Sequence, residues 1–360
     1  MKITISENRI WSFVIFAILI KSILFLYLKW FPEVNLFGGG NDGDYYNGYA
    51  LGYYSIATNY WPIILRFLNE NGLYDREKIT LILFVGSITL MPYLYYKVIK
   101  IQGDEIKLVK AGSIFLVIFY PSMLIYTLDV YRDIFMFIIL LLSFLIYRKI
   151  LETNKLRGNF YFIIYLCLAY FISLLREYLG FALVLSPFIY LLLAKTKKYI
   201  KSWIFTYFVT LILASNYGGL NVLFNYREGF DLGGTTLGIR LTNQNPIMFL
   251  FYYLYSFFAQ LFGLFLVNIT AIITFILESI PFTFAFIYLL KNIEFMNKFV
   301  IFLLTFFVIY TSIWLLGNDN LGTATRLRIP SYLVIFACMF IVYQRKMITG
   351  FKTLNMSKEI

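Results

Sequence analysis

The chain has 360 residues, 61% of them hydrophobic and 21% aromatic, with only 14% charged. That balance excludes a soluble globular domain and fits a polytopic membrane protein. A formal charge of +12 comes without a single histidine, which removes histidine triads, histidine metal ligands and histidine proton shuttles and leaves acid–base work to Asp, Glu, Lys, Arg or Tyr.

In chain order, apolar windows of spanning length are predicted near 11–30, 79–96, 112–128, 134–147, 160–175, 178–194, 202–215, 265–290, 299–316 and 329–344. They approach or meet the roughly 20 residues that a hydrocarbon layer requires. The first window lacks a small-residue cleavage site and reads as a retained helix. The segment 247–264, "IMFLFYYLYSFFAQLFGL", is crowded with aromatics and is either an eleventh span or a re-entrant, interfacial segment. The fold class predicted is all-α: one polytopic membrane domain over 1–360, a bundle of about ten transmembrane helices with interfacial or re-entrant helices in its exterior loops.

Charge orients this bundle. If 247–264 does not cross, both termini and every second loop share one side. That side collects Lys97, Lys100, Lys107, Lys110, Arg148, Lys149, Lys155, Arg157, the lysines of 195–201, Lys291, Lys298, Arg345 and Lys346, which makes it cytoplasmic. An extra crossing would move Lys291, Lys298 and the C-terminal cluster outside. The net positive charge therefore reads as orientation across a membrane, with no nucleic-acid partner expected. Cys167 and Cys338 each fall within an apolar run, so a stabilising disulfide is not expected.

The exterior segments 31–78, 216–246 and 317–328, with tight turns at 129–133 and 176–177, are where chemistry is expected. Their ionisable residues are Asp42 and Asp44 in "NDGDYYNGYA", Asp129, Arg132 and Asp133 in "YTLDVYRDIF", and Arg176 with Glu177 in "LLREYLG". Later segments add Arg227, Glu228 and Asp231 in "YREGFD", Arg240 in "LGIRL", and Asp319, Arg326 and Arg328 in "GNDNLGTATRLRIP". Cations on this side are mainly arginine, whose planar fork gives paired hydrogen bonds to phosphate oxygens that lysine cannot match.

Each of these has a plainer reading. Asp42 and Asp44 fit a solvated turn rich in glycine and asparagine, and "GGGNDG" has no lysine and follows no strand, so it is not a nucleotide phosphate loop. If 129–133 is helical, Asp129, Arg132 and Asp133 share one face, either as a helix cap with an ordinary ion pair or as a functional face close to the hydrocarbon boundary. Arg176 and Glu177 either pair across the bundle or leave Arg176 facing a cavity for an anionic headgroup. The tyrosines from Tyr45 to Tyr60 and "YWPIILRFLNENG" read as an interfacial helix, with sugar stacking the lesser alternative. Lys21 and Glu278, beside Pro281, are the two ions placed deep within spans, as a structural pair or as part of a proton or substrate path.

The setting "D-x-D-Y-Y-x-x-Y-A" over Asp42–Ala50, just after the first span, resembles the first exterior loop of GT-C-type glycosyltransferases, which take sugars from polyprenyl-phosphate carriers. The stretch "YPSMLIYTLDVYRD", 120–133, is similar to the "P-S … R-D" start of a span in bacterial polysaccharide polymerases. Size, span count, exterior arginines and the Phe, Ile and Tyr content resemble a Wzy-type O-antigen or capsule repeat-unit polymerase. O-antigen ligases share the architecture but resemble one another in an exterior histidine, which this chain lacks.

That resemblance implies a glycosyltransferase of the bacterial inner membrane that joins undecaprenyl-diphosphate-linked oligosaccharide units, on the periplasmic face, into the O-antigen of lipopolysaccharide or into capsular polysaccharide. Asp42 or Asp44 would be the catalytic base, with Asp133 in reserve, and two or three of Arg132, Arg176, Arg227, Arg240, Arg326 and Arg328 would hold the diphosphate. No cofactor is required; a divalent metal on Asp42 and Asp44 is compatible with the residues but not demanded by them. The expected partners are the lipid-linked glycan, membrane lipid and, left open, a chain-length regulator. The enzyme alternative transfers one sugar from a polyprenyl-monophosphate donor. The alternative from another class is a flippase for the same glycan, which would line its interior with cations.

Overall fold

The computed structural model describes residues 7–31, 42–100, 107–195, 200–230 and 235–356. The N-terminal residues, the glycine-rich 38–41 and Asp231, all weighed above, lie outside the described residues. Among the described residues the regular structure is all helix, with one isolated bridge between Thr236 and Asn320.

The first half runs α1 (Glu7–Trp30), α2 (Asp42–Ala50), α3 (Tyr60–Glu70), α4 (Arg76–Ile88), α5 (Leu90–Ile99), α6 (Lys107–Ile118), α7 (Pro121–Ile125), α8 (Asp133–Glu152) and α9 (Lys155–Leu175). The second half runs α10 (Glu177–Lys195), α11 (Ile200–Asn216), α12 (Asn221–Glu228), α13 (Pro246–Ser256), α14 (Ile269–Thr274), α15 (Ile280–Lys291), α16 (Lys298–Gly317) and α17 (Leu321–Met356). Many starts are written in polar caps. Asn59, Asp75, Asn245, Asn268 and Asn297 each accept a hydrogen bond from a backbone N–H of the first turn that follows, satisfying donors that a helix start leaves free.

Proline explains the breaks. Pro92 has no N–H to give the Ile88 carbonyl, and α4 hands over to α5 at Thr89. Pro121 starts α7, so the expected span 112–128 is divided into α6 and a short α7 rather than forming one helix. Pro281 follows a π-helical turn, Phe275–Ser279, that joins α14 to α15, and a second π turn, Phe257–Leu261, ends α13.

Seven stretches are long and apolar enough to cross a membrane, or eight if α11 and α12, bent by 74° at their junction, count as one. The shorter apolar helices Val109–Ile118, Glu177–Leu193 and Pro246–Leu261 stand outside that count. Burial divides the set: 22% of the apolar window of α1 is buried against 83% of that of α17. Phe13, Ile15, Phe16 and Leu19 on α1, Ile82 on α4, Phe188 on α10 and Phe284 on α15 all face outward. Apolar surface on that scale has no place in water and is the lipid-facing wall of a membrane-embedded helical bundle. Inside it, a main apolar core extends from Tyr46 to Val342 and takes in much of α16 and α17, and a small second cluster of Val14, Ala17, Ala111 and Ile118 joins α1 to α6.

The segment 317–328 is irregular only as far as Asn320: Leu321 begins the helix that carries Arg326 and Arg328. Asn320 makes that start: its side chain accepts from the Thr323 N–H, and Leu321 N–H donates to the Thr235 carbonyl at 2.7 Å.

Candidate functional site

Three segments meet at one end of the bundle. Asp133 opens α8, Arg176 sits in extended backbone between α9 and α10, and Arg326 lies in the second turn of α17. The short connection between α8 and α9 returns the chain to the same end, which brings Asp133 and Arg176 side by side although 43 residues separate them. Above them lies α2, a nine-residue helix whose first turn carries Asp42 and Asp44.

Asp133 is 4% exposed and its two oxygens are divided between arginines. One accepts from Arg326 Nε at 2.7 Å; the other faces Arg176 Nη2 at 3.5 Å. Arg326 reaches past Asp133 to pair with Asp42, and the Tyr126 and Tyr131 rings lie 5.2 and 5.7 Å from its guanidinium carbon. Arg132 donates from Nη1 to the Leu175 carbonyl at 2.7 Å, which holds it beside Arg176. Arg176 and Arg326 therefore share the buried Asp133 carboxylate, Arg326 also pairs with Asp42, whose side chain is 45% exposed, and Arg132 adds a third guanidinium beside them.

This charge is unbalanced, and so is the hydrogen bonding. Arg176, 5% exposed, has Nε and Nη1 buried with no hydrogen-bond partner, and Arg132 Nε is in the same state. Buried unpaired donors are costly and rare in native proteins. Burial, with the Arg176 charge next to it, pushes the Arg132 pKa below its ordinary value. Burial also raises the Tyr131 phenol. An anion with several oxygens would meet all of these conditions together.

A second pair of contacts fixes α2. Arg76, at the start of α4, donates from Nε to Asp129 at 2.8 Å and from Nη2 to Asp44 at 2.6 Å. Gly43 presses against the same carboxylate: a Cβ there would lie 2.2 Å from Asp129 Oδ2. Tyr74 adds a 2.8 Å hydrogen bond to Asn47. Behind α2, Trp61 Nε1 donates to the Val130 carbonyl at 2.7 Å.

Several expectations are corrected here. Asp42 and Asp44 are not in a solvated turn but on a helix, and two residues of α-helix rotate them about 200° apart. They go to different arginines, Arg326 and Arg76, rather than to a shared cation. Asp129, Arg132 and Asp133 do not share a helical face, since α8 begins only at Asp133. Arg176 pairs with Asp133, and Glu177 faces outward.

Arg227, also expected at the diphosphate, is fully occupied elsewhere. It donates to the Ile239, Leu315 and Asn318 carbonyls at 2.9, 2.8 and 2.7 Å, to Ser256 Oγ at 2.8 Å, and to Asp319. Asp319 in turn accepts from the Gly238 N–H at 2.8 Å, and burial raises its pKa despite the guanidinium. Those five hydrogen bonds staple α12, α13 and α16 to the start of α17. Arg240 is exposed and enters none of these contacts.

Arg328 is buried too, turned about 200° from Arg326 by the two intervening helical steps. It donates to Ser279 Oγ at 3.1 Å and lies over the Tyr332 ring, against the left-handed Gly263 turn, where a Cβ would come within 2.6 Å of Arg328 Nη1 and of Ser279 Oγ. On the far side of Ser279 is Glu278, whose Oε1 accepts from the Ser122 N–H at 2.7 Å and hydroxyl at 2.6 Å. Lys21 does not pair with Glu278; its Nζ is buried with no hydrogen-bond partner.

Sequence reasoning did not single out Arg76, Tyr126 or Tyr131 as parts of this arrangement. The signal for Tyr126 and Tyr131 was their spacing around the "YRD" turn, which places rings on both sides of an arginine from α17. Among the described residues, no group of three or more Cys, Asp or Glu converges to hold a metal ion. The chain matches no protein-family model, no curated protein and no solved structure.

Proposed function

We propose that this chain is an inner-membrane glycosyltransferase that polymerises undecaprenyl-diphosphate-linked oligosaccharide units on the periplasmic face. The observation that carries the reading is the convergence of Arg132, Arg176 and Arg326 with buried, unpartnered donors beside a single buried carboxylate. A diphosphate leaving group needs that chemistry: fixed cations that neutralise oxygens gaining charge as the bond to the sugar breaks. Arginine at all three positions suits paired recognition of phosphate oxygens.

In this reading the growing chain's diphosphate lies on Arg132, Arg176 and Arg326, with its lipid tail along the outward apolar faces of the bundle. Asp133 is a positioning residue that orients Arg326 and Arg176. Asp42 is the base: its carboxylate takes the proton from the acceptor hydroxyl as that oxygen bonds to the anomeric carbon. The bond from that carbon to the diphosphate oxygen breaks, and the electron pair leaves with the diphosphate. Of the three candidate bases, Asp133 is enclosed by two guanidinium groups and Asp44 faces Arg76, so Asp42 is the one both near the cluster and half open to solvent. Arg227 is assigned to the framework; Arg328, whose Nε is also buried without a hydrogen-bond partner, donates to Ser279 and is turned away from the cluster, so it is not counted in it.

The reading also includes about ten crossings: the seven long stretches together with Val109–Ile118, Glu177–Leu193 and α11, with Pro246–Leu261 re-entrant. It puts the lysine-rich ends in the cytoplasm and the arginine cluster at the periplasmic boundary. A reporter fused after Lys298 should then read cytoplasmic.

One observation favours the flippase instead. Arg328 is buried beside Glu278 rather than exposed in a loop, which gives the interior a cation that the sequence had assigned outside. The two readings separate in proteoliposomes loaded with lipid-linked repeat units. A polymerase yields a ladder of glycan lengths on a gel with wild-type protein and single units with Asp42→Asn. A flippase changes the leaflet of the lipid with no change in glycan length, and that result would overturn the polymerase reading.

A further inference from the structure

Asp42 does two incompatible things in the structure just described: it is the best-placed base, yet its carboxylate is bound to Arg326. The Asp42 oxygen facing Arg326 is occupied by that guanidinium, so the carboxylate must turn from it before it meets an acceptor hydroxyl. The contrast with Asp133 resolves this. Asp133 is bound to the same arginine but is 4% exposed and also faces Arg176, whereas the Asp42 side chain is 45% exposed. A half-solvated pair exchanges readily with water and competing ions, whereas a buried one does not.

Resting on the diphosphate reading of the arginine cluster, we propose that Asp42 is an internal stand-in for the substrate's diphosphate: it occupies Arg326 in the empty protein, is displaced when the diphosphate binds, and is thereby released as the free base. Among the described residues, Arg326 alone of the three clustered arginines pairs with a half-exposed carboxylate. Arg176 and Arg132 hold their contacts to Asp133 and to the Leu175 carbonyl through single nitrogens, with other donors still open.

Helix α2 does not need to undock for this exchange. Asp44 on Arg76, Gly43 against Asp129 and Tyr74 on Asn47 hold the helix independently of Asp42. The Asp42 side chain alone rotates away from Arg326, toward the half-exposed mouth where an acceptor hydroxyl would arrive. Base release is thus conditional on the donor diphosphate being seated, so the proton acceptor is armed only when a leaving group is in place. Such coupling is a population shift: the ligand stabilises the rotamer in which Arg326 is free of Asp42.

The test is binding of inorganic pyrophosphate to the full chain in nanodiscs, measured by calorimetry, and then of vesicles containing a polyprenyl diphosphate to separate free anion from lipid headgroup. Wild type should bind, and Arg326→Gln should lose at least tenfold in affinity. Asp42→Asn removes the competitor and should bind about five- to tenfold more tightly, while Asp42→Glu, which keeps the competing charge, should stay at or below wild type. Asp44→Asn controls for charge alone: it deletes one negative charge from the same helical turn and should change affinity less than twofold. Equal affinities for Asp42→Asn and Asp44→Asn would overturn the stand-in role while leaving the arginine site intact. Equal binding by wild type and Arg326→Gln would overturn the arginine site itself, and the stand-in with it. Pyrophosphate binding without binding of the lipid would assign the site to a free anion and overturn both.

Discussion

Two arginine–aspartate clusters in this bundle use the same residue types to opposite ends. Around Arg227 every donor of the guanidinium has a partner, Asp319 is closed in on both oxygens, and the result is a staple between α12, α13, α16 and α17. Around Arg326, three guanidinium groups crowd one buried carboxylate, several donors have no partner, and two tyrosine rings and a half-exposed aspartate close the mouth. A guanidinium with every donor satisfied builds structure, and one with donors to spare has capacity left for a ligand. Counting satisfied donors, rather than counting arginines, separates the two.

That comparison can be broken in four places. The largest effect is expected at Arg227→Gln, which leaves Asp319 buried without its cation and should cost about 3–5 kcal/mol of stability; thermal unfolding in detergent measures it, and Arg227→Lys should recover little because a single ammonium cannot replace five directed donors. Next is Arg326→Gln, where product formation should fall on the order of 100-fold, roughly 3 kcal/mol of transition-state stabilisation. Its unfolding temperature should move less than that of Arg227→Gln, since Asp133 keeps Arg176. A stability loss equal to that of Arg227→Gln would make both clusters structural.

Gly43→Ala sharpens the role of α2. The added methyl would meet Asp129 at 2.2 Å, so either α2 or Asp129 must shift, at about 1–3 kcal/mol. Hydrogen exchange should report faster amides in α2 and unchanged protection in α17. The smallest effect belongs to Arg240→Gln: this exposed residue lies outside both networks, and activity should stay within twofold. A large loss there would return Arg240 to the diphosphate and weaken the case for the three clustered arginines.

The sequence was most legible where one-dimensional signals suffice. Apolar length marked the helices, but the windows 79–96, 112–128 and 265–290 each read as one span although Pro92, Pro121 and Pro281 sit at breaks within them, because hydropathy does not register a missing N–H. It was least legible where a helix carries charge inward. The polar run "GNDNLGTATRLR" reads as loop by composition, yet after Asn320 it is helix, because Arg326 and Arg328 find partners on α8 and in the π turn that hydropathy cannot see. The glycine and asparagine of "NDGDYY" likewise suggested a turn, whereas Gly43 is small because Asp129 lies against it. Of the candidate site, Asp42, Asp133, Arg132, Arg176 and Arg326 were within reach of the sequence as a pool; which of the six arginines belonged together was a matter of tertiary contact.

The central claim is that the incomplete cluster, and not the complete one, holds the diphosphate. The measurement that tests it most directly is glycan length per folded molecule in proteoliposomes supplied with lipid-linked repeat units, comparing Arg326→Gln with Arg227→Lys after both are normalised to folded protein. The account predicts single units from Arg326→Gln and a ladder, reduced only in proportion to folded protein, from Arg227→Lys. A full ladder from Arg326→Gln would contradict it.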